Sequence, residues 1–201
     1  REGWKNVFLQ LNFRTSKGFL ALAWFLPGLL TLLGAILFFY LFPNTFDANL
    51  EGFSAQLQAL SAGNDPTPTF LASPWIIVVI QFVQALLLDP ILNSISTFGE
   101  EFGWRAYLLQ KLLPLGTKKA VIISGLIWGI WHWPLIAMGY NYGFNYPAAP
   151  LLGFLGMTLF CLSLGTIFSW MVLRPKSVWP AVIAHSAING IAAIGTLALK
   201  G

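Results

Sequence analysis

Residues 19–42 read FLALAWFLPGLLTLLGAILFFYLF, a run without one charged side chain. A helix needs about 20 consecutive apolar residues to cross the hydrocarbon of a bilayer, and this run meets that length. It decides the fold class. In hydrocarbon every backbone N–H and C=O of a single uninterrupted run must be satisfied within the segment, and only a helix does this. Pro27 marks an expected kink. The rest of the chain agrees: of 201 residues, 57% are hydrophobic and 9% are charged, with a mean hydropathy of +0.72. A soluble domain carries about 25% charged residues, so a water-facing surface cannot be built from this composition.

Outward from that run, further spans are expected from Pro74 to about Phe98, from Ala120 to Gly139, from Leu151 to Leu173 and from Val178 to Leu199. Asp89-Pro90 interrupts the second. It reads either as one bent helix from Pro74 to Leu113 or as a span followed by an amphipathic arm along the interface. Residues 1–18 are basic, with Trp4, Val7, Phe8 and Leu11 at roughly helical spacing, as in an interfacial helix. Residues 43–73 are the most polar. A short surface helix is expected over Phe53–Leu60, and a loop over Asn64-Asp65-Pro66-Thr67-Pro68. The expected fold is all-α: a polytopic membrane helix bundle of five to six transmembrane helices, some kinked or partial, with short interfacial helices. One integral membrane domain over residues 1–201 is the natural count at this length. No cleavable signal peptide is expected, since the first apolar run is too long for one.

The net charge of +4 rests on only 11 basic residues. They sit in short connections rather than a patch, which argues against nucleic-acid binding. Arg1, Lys5, Arg14 and Lys17 precede the first span. Arg105, Lys111, Lys118 and Lys119 fall between the second and third, and Arg174 and Lys176 between the fourth and fifth. The three groups alternate onto one side, which the positive-inside rule makes cytoplasmic. The lone Cys161 has no partner for an internal disulfide and no neighbouring motif.

Against this background Phe98-Gly99-Glu100-Glu101-Phe102-Gly103-Trp104-Arg105 is an energetic anomaly. One carboxylate at the centre of a spanning helix costs about 2.5 to 3.5 kcal/mol, and intramembrane ionisable residues mark functional sites. Glu101 and Arg105 stand four apart and can pair, leaving Glu100 freer. Both histidines also fall in expected spans, His132 four residues after Trp128 and His185 four residues before Asn189. Pro134 frees a carbonyl beside His132, as at a water-containing cavity that Ser124, Thr97 and Ser186 would help line. Read individually, each residue has a plainer role. A lone intramembrane His or Asn is often glue between helices. Trp128, Trp131 and Trp133 read as packing or interfacial anchors, and Asp89 as a cap near Pro90. In combination, the two glutamates, two histidines and one asparagine on three spans suit acid–base chemistry.

A carboxylate and an imidazole can deprotonate a water, while a second histidine and an amide can donate to a developing oxyanion. That set suits hydrolysis of a peptide bond. No serine or cysteine is placed as a nucleophile. Two histidines with glutamates also make a zinc donor set, Glu100, His132 and His185. The local His-Glu-x-x-His signature is absent, and zinc is not favoured.

Glu100-Glu101-x-x-x-Arg105, Trp128-x-x-x-His132 and His185-x-x-x-Asn189 resemble, in order, the three motifs of the CPBP family. These are the CAAX proteases and bacteriocin-processing proteins, also called the Abi or type II CAAX prenyl endopeptidase family. The resemblance runs from about Leu88 to Ile194. It implies an all-helical intramembrane peptidase whose eukaryotic and archaeal relatives remove the last three residues of a prenylated Cys-a-a-X terminus. It implies Glu100 as the catalytic glutamate, His132 as its partner on the water, and His185 with Asn189 as the oxyanion pair. Glu101 and Arg105 would be structural or tuning residues. Family members usually carry Phe where this chain has Trp128, a departure expected to change packing more than chemistry. The implied partners are a membrane protein or peptide substrate and the bilayer. The alternatives are a non-catalytic membrane scaffold or bacteriocin-immunity protein using the same polar cluster, and a proton-coupled carrier.

Overall fold

The computed structural model describes residues 7–61 and 73–200, with the side chains of residues 60 and 61 excepted. The chain is 78% helical and holds no strand among the described residues, as the apolar runs require. Its α-helices are α1 (Phe13–Leu41), α2 (Glu51–Ser61), α3 (Pro74–Leu87), α4 (Asp89–Leu92), α5 (Ser94–Glu101), α6 (Leu109–Leu112), α7 (Thr117–Trp131), α8 (Trp133–Ala137), α9 (Leu151–Leu173) and α10 (Trp179–Ile191). Among the described residues four stretches are long and apolar enough to cross a membrane: Phe13–Leu41, Thr117–Ala137, Leu151–Leu173 and Trp179–Ala198.

Two expectations change. The second span is not one long helix. Its apolar part, α3, has 14 residues, about 21 Å at the usual rise, short of the roughly 30 Å of hydrocarbon. Pro90 has no N–H to continue the ladder; the chain turns at Leu88, whose carbonyl takes the N–H groups of Ile91 and Leu92 at 2.9 Å each. The separate interfacial helix expected over residues 1–18 is also not seen in its described part. Residues 7–12 are irregular, and helix begins at Phe13, where the Asn12 carbonyl accepts the N–H groups of Thr15 and Ser16. Trp4 and residues 64–68 lie outside the described residues. The surface helix expected near Phe53–Leu60 is α2.

The chain divides into two compact units. The first comprises residues 1–20 and 96–182. Its centre is the antiparallel pair α7 and α9, which approach through Gly125 and Gly129. A Cβ added at Gly129 would lie 2.7 Å from the Thr158 Cα, and one at Gly125 would lie 3.1 Å from the Leu162 Cα. This is the small-residue contact that lets membrane helices pack by backbone proximity. Residues 8–12 are strapped to the α9–α10 link. Val178 N–H donates to the Phe8 carbonyl at 2.9 Å, Trp179 Nε1 to Leu9 at 2.9 Å and Asn12 Nδ2 to Pro175 at 3.3 Å.

The second unit comprises residues 21–95 and 183–201. Here Asp47 caps α2, accepting from the N–H groups of Asn49 at 3.1 Å and Gly52 at 3.3 Å. Leu50, Phe53 and Ala198 form its buried cluster. Asp89 lies against Gly190, where an added Cβ would stand 2.6 Å from the Asp89 Cβ.

Candidate active site

The double glutamate ends α5, whose buried face carries Thr97 and Glu101. The helix then widens into a π segment over Phe102–Leu108, closed by the Leu109 N–H on the carbonyl of Trp104, five residues back. Such π turns are rare and recur at functional sites. The extra residue per turn resets the direction of every side chain that follows. Glu101 is fully buried and Arg105 nearly so, joined at 2.7 Å between Oε1 and Nη1, the pairing that their spacing leads one to expect.

Arg105 owes its seat to the α7–α9 pair. Its guanidinium carbon stands 4.2 Å from the ring centroid of Trp128 and 5.2 Å from that of Phe168. Gly165 leaves room for it, since a Cβ there would lie 3.3 Å from Nη2. A buried cation held between two ring faces and a carboxylate is compensated three times over, as a charge out of water requires.

Trp128 joins the remaining groups. Its Nε1–H donates to Glu100 Oε2 at 3.2 Å, and its own carbonyl accepts from His132 Nδ1 at 2.8 Å. A carbonyl can only accept, so the proton of His132 sits on Nδ1. The Nε2 lone pair is then the imidazole's acceptor. His132 follows the last residue of α7 and precedes Pro134, with Trp131 edge-on at 4.9 Å. One residue therefore orients both groups, the carboxylate through its indole N–H and the imidazole through its backbone carbonyl. The expectation that Trp128 is a packing residue is corrected: it is a donor, which the phenylalanine usual in the family cannot be.

Glu100 is half-buried and borders a cleft of about 500 Å³ walled by Trp104, Tyr107, Leu108, Ile127 and Trp131. Gly99 and Gly103 lie along it, and a Cβ at Gly103 would meet nothing within 4 Å. The wall is apolar and aromatic around one carboxylate, a setting for an extended apolar ligand with a polar bond to present.

Cys161 stands closer to the site than its sequence neighbours suggest. Its sulfur lies 3.7 Å from His132 Nδ1, although nothing around it in sequence suggests a site. With Nδ1 already protonated toward the Trp128 carbonyl, the thiol has no base there and is not an activated nucleophile. Ser124 and Thr97 donate their hydroxyls to backbone carbonyls, Val121 at 3.1 Å and Val182 at 3.3 Å.

His185 and Asn189 belong to the second unit, one turn apart on α10. His185 is buried and Asn189 exposed. Beside them Asn93 Nδ2 donates to the Ser186 carbonyl at 3.4 Å. Asp89, expected as a cap, packs on Gly190 instead. Among the described residues no group of three or more His, Cys, Asp or Glu side chains is gathered to hold a metal ion, so a divalent cation finds no assembled ligand set among them.

The first unit thus unites Glu100, Glu101, Arg105, Trp128 and His132. Gly125, Gly129, Gly165 and Phe168 had no part in the expected site, and Cys161 was expected to stand apart from it. The Gly125-x-x-x-Gly129 spacing is a readable signal of close helix approach; the others had none.

Comparison with known proteins bears on this arrangement. Among curated proteins, the CAAX prenyl protease 2 of Methanococcus maripaludis is 36% identical over 110 residues, 54% of this chain and 39% of the relative. The chain thus matches about two-fifths of that relative's length. No solved structure matches. The profile of the type II CAAX prenyl endopeptidase Rce1-like family matches residues 71–191, more than half of the chain and all three motifs. The chain is an integral membrane protein that belongs to the type II CAAX prenyl endopeptidase Rce1-like family.

Proposed function

We propose that the chain is an intramembrane endopeptidase that hydrolyses a peptide bond of a membrane-associated protein or peptide with a water activated by Glu100 and His132. The observation that carries this is the double anchoring by Trp128: its indole donates to Glu100 and its carbonyl fixes His132 with Nδ1 protonated. Glu100 takes the proton of the attacking water, and the Nε2 lone pair of His132 helps hold that water. His185 and Asn189 donate to the oxyanion as the carbonyl becomes tetrahedral. Glu100 then returns the proton to the leaving amine. Glu101 stays with Arg105 and keeps that helix in register.

The aromatic walls of the cleft suit a substrate carrying a long apolar group, and the name of the archaeal relative, a prenyl protease, favours a prenylated C-terminal peptide. The basic connections favour a site facing the cytoplasmic leaflet. Residues 88–194 would form the catalytic core, and residues 1–18 a basic segment at the interface.

The test uses the purified full chain in vesicles with two synthetic peptides of one Cys-a-a-X sequence, one prenylated and one not. Mass spectrometry reads the released fragments. The expected outcome is loss of the last three residues from the prenylated peptide only. No cleavage of any membrane-anchored peptide, with binding retained, would favour a non-catalytic partner-binding role.

A further inference from the structure

The first unit gathers its cations at one end. α7 and α9 run antiparallel, with Gly129 against Thr158 and Gly125 against Leu162, so the start of α7 lies beside the end of α9. That brings Lys118 and Lys119 to the same end as Arg174 and Lys176. The rings of Phe19 and Trp170 meet at 5.1 Å, and Asn12 bonds Pro175, which adds Arg14 and Lys17 from the first turns of α1. Lys111 rides on α6, which packs on α7, with its ammonium 5.6 Å from the Tyr107 ring. All of these cations are exposed.

Nothing acidic is interleaved with them. The chain has no Asp or Glu between Glu2 and Asp47, and none after Glu101. Within the described part of this unit the carboxylates are Glu100 and Glu101, the first held by Trp128 and the second buried on Arg105. Next to the cations Leu11 and Phe13 are 54% and 63% exposed. Cations at the ends of three stretches long and apolar enough to cross a membrane, with large apolar side chains alongside, suit headgroup depth.

We propose that this collar binds the phosphate headgroups of anionic phospholipids, giving the protein a shell enriched in anionic over zwitterionic lipid. A basic side chain near an anionic leaflet favours it by roughly five-fold at low salt, and the effect decays over a Debye length. The recognition is by field and needs no fixed pocket, so several cations share the task. The proposal stands independently of the peptidase reading.

The full chain is reconstituted in phosphatidylcholine vesicles with a trace of spin-labelled phosphatidylglycerol or phosphatidylcholine. Electron paramagnetic resonance reads the fraction of each label immobilised at the protein. At low salt the anionic label is expected to be preferred about three-fold or more, falling toward parity at about 1 M salt, where the Debye length is about 3 Å. Lys118→Gln, Lys119→Gln, Arg174→Gln and Lys176→Gln together lower the preference at low salt, whereas Lys200→Gln, on the other unit, leaves it unchanged. Equal partition of the two labels at low salt, or a preference that survives high salt, overturns the proposal. If the fourfold variant does not insert, the salt titration of the unaltered chain decides. Inorganic phosphate at matched ionic strength should act no more strongly than chloride; specific displacement by phosphate would assign the collar to a soluble anion and overturn the lipid reading.

Discussion

Replacing Trp128 by phenylalanine isolates the contact on which the site turns. Phenylalanine keeps a ring face for Arg105, which now stands 4.2 Å from the indole centroid. It keeps the backbone carbonyl that holds His132 at 2.8 Å. It removes the Nε1–H that reaches Glu100 at 3.2 Å. A hydrogen bond to a charged group contributes about 1.5 to 3 kcal/mol, and 3.2 Å is long for a charge-assisted bond, so about 1.5 kcal/mol applies here. Since about 1.4 kcal/mol is a factor of ten in rate, kcat should fall roughly ten-fold. KM should stay within about two-fold, because Trp128 is not among the residues that wall the cleft proposed to take the substrate. The smaller ring also leaves space among Arg105, Phe168 and His132, which costs stability of order 1 kcal/mol. Steady-state kinetics on a quenched membrane peptide, paired with thermal unfolding in the same vesicles, separates the two effects. Replacing Trp128 by benzothienylalanine keeps the bicyclic ring without its N–H and should reproduce the kcat loss without the stability loss. Unchanged kcat in both variants would refute the view that Trp128 positions Glu100.

The other expected outcomes concern the supports of the site. Glu101→Gln leaves the Arg105 cation buried without its counter-charge and should destabilise the protein by about 3 to 5 kcal/mol; a melting temperature within a degree of the parent would contradict the burial seen here. Arg105→Lys should not rescue, because an ammonium cannot lie flat between Trp128 and Phe168, and unfolding midpoints read this directly. Gly129→Ala drives a Cβ to 2.7 Å from the Thr158 Cα and should cost about 1 to 3 kcal/mol, whereas Gly156→Ala, with nothing within 4 Å, should be neutral. Cys161→Ala should retain activity within about three-fold, as expected for a buried thiol without a base; complete inactivation would reopen a nucleophilic role.

The apolar runs made the all-helical membrane class legible, because the bilayer admits so few solutions. They also located α9 to the residue. The break at Asp89-Pro90 was legible in the second span, but its consequence was not: a hydropathy run does not show that the apolar helix before the break has only 14 residues and that two short helices follow it. The Glu101–Arg105 pair was legible from its spacing of four. Trp128 was not, since a side chain that packs and one that donates look alike in a row of letters. Its partners come from α5 and from one turn further along its own helix. The π segment carries no compositional mark. Phe168 and Gly165 contact Arg105 through tertiary packing of α9, and no pattern within their own helix announces it. Cys161 approaches His132 for the same reason: Gly125 and Gly129 let α9 come within backbone distance of α7.

The central claim is that Glu100 activates the water that cuts the substrate. Its most direct test is the single-turnover cleavage rate of Glu100→Gln in the reconstituted full chain. Glutamine keeps the shape and an oxygen for the Trp128 N–H but is no base. Loss of a general base lowers rates about 10²- to 10⁴-fold, and the account predicts a fall in that range with thermal unfolding unchanged. Cleavage at the parent rate by a folded Glu100→Gln chain would contradict it.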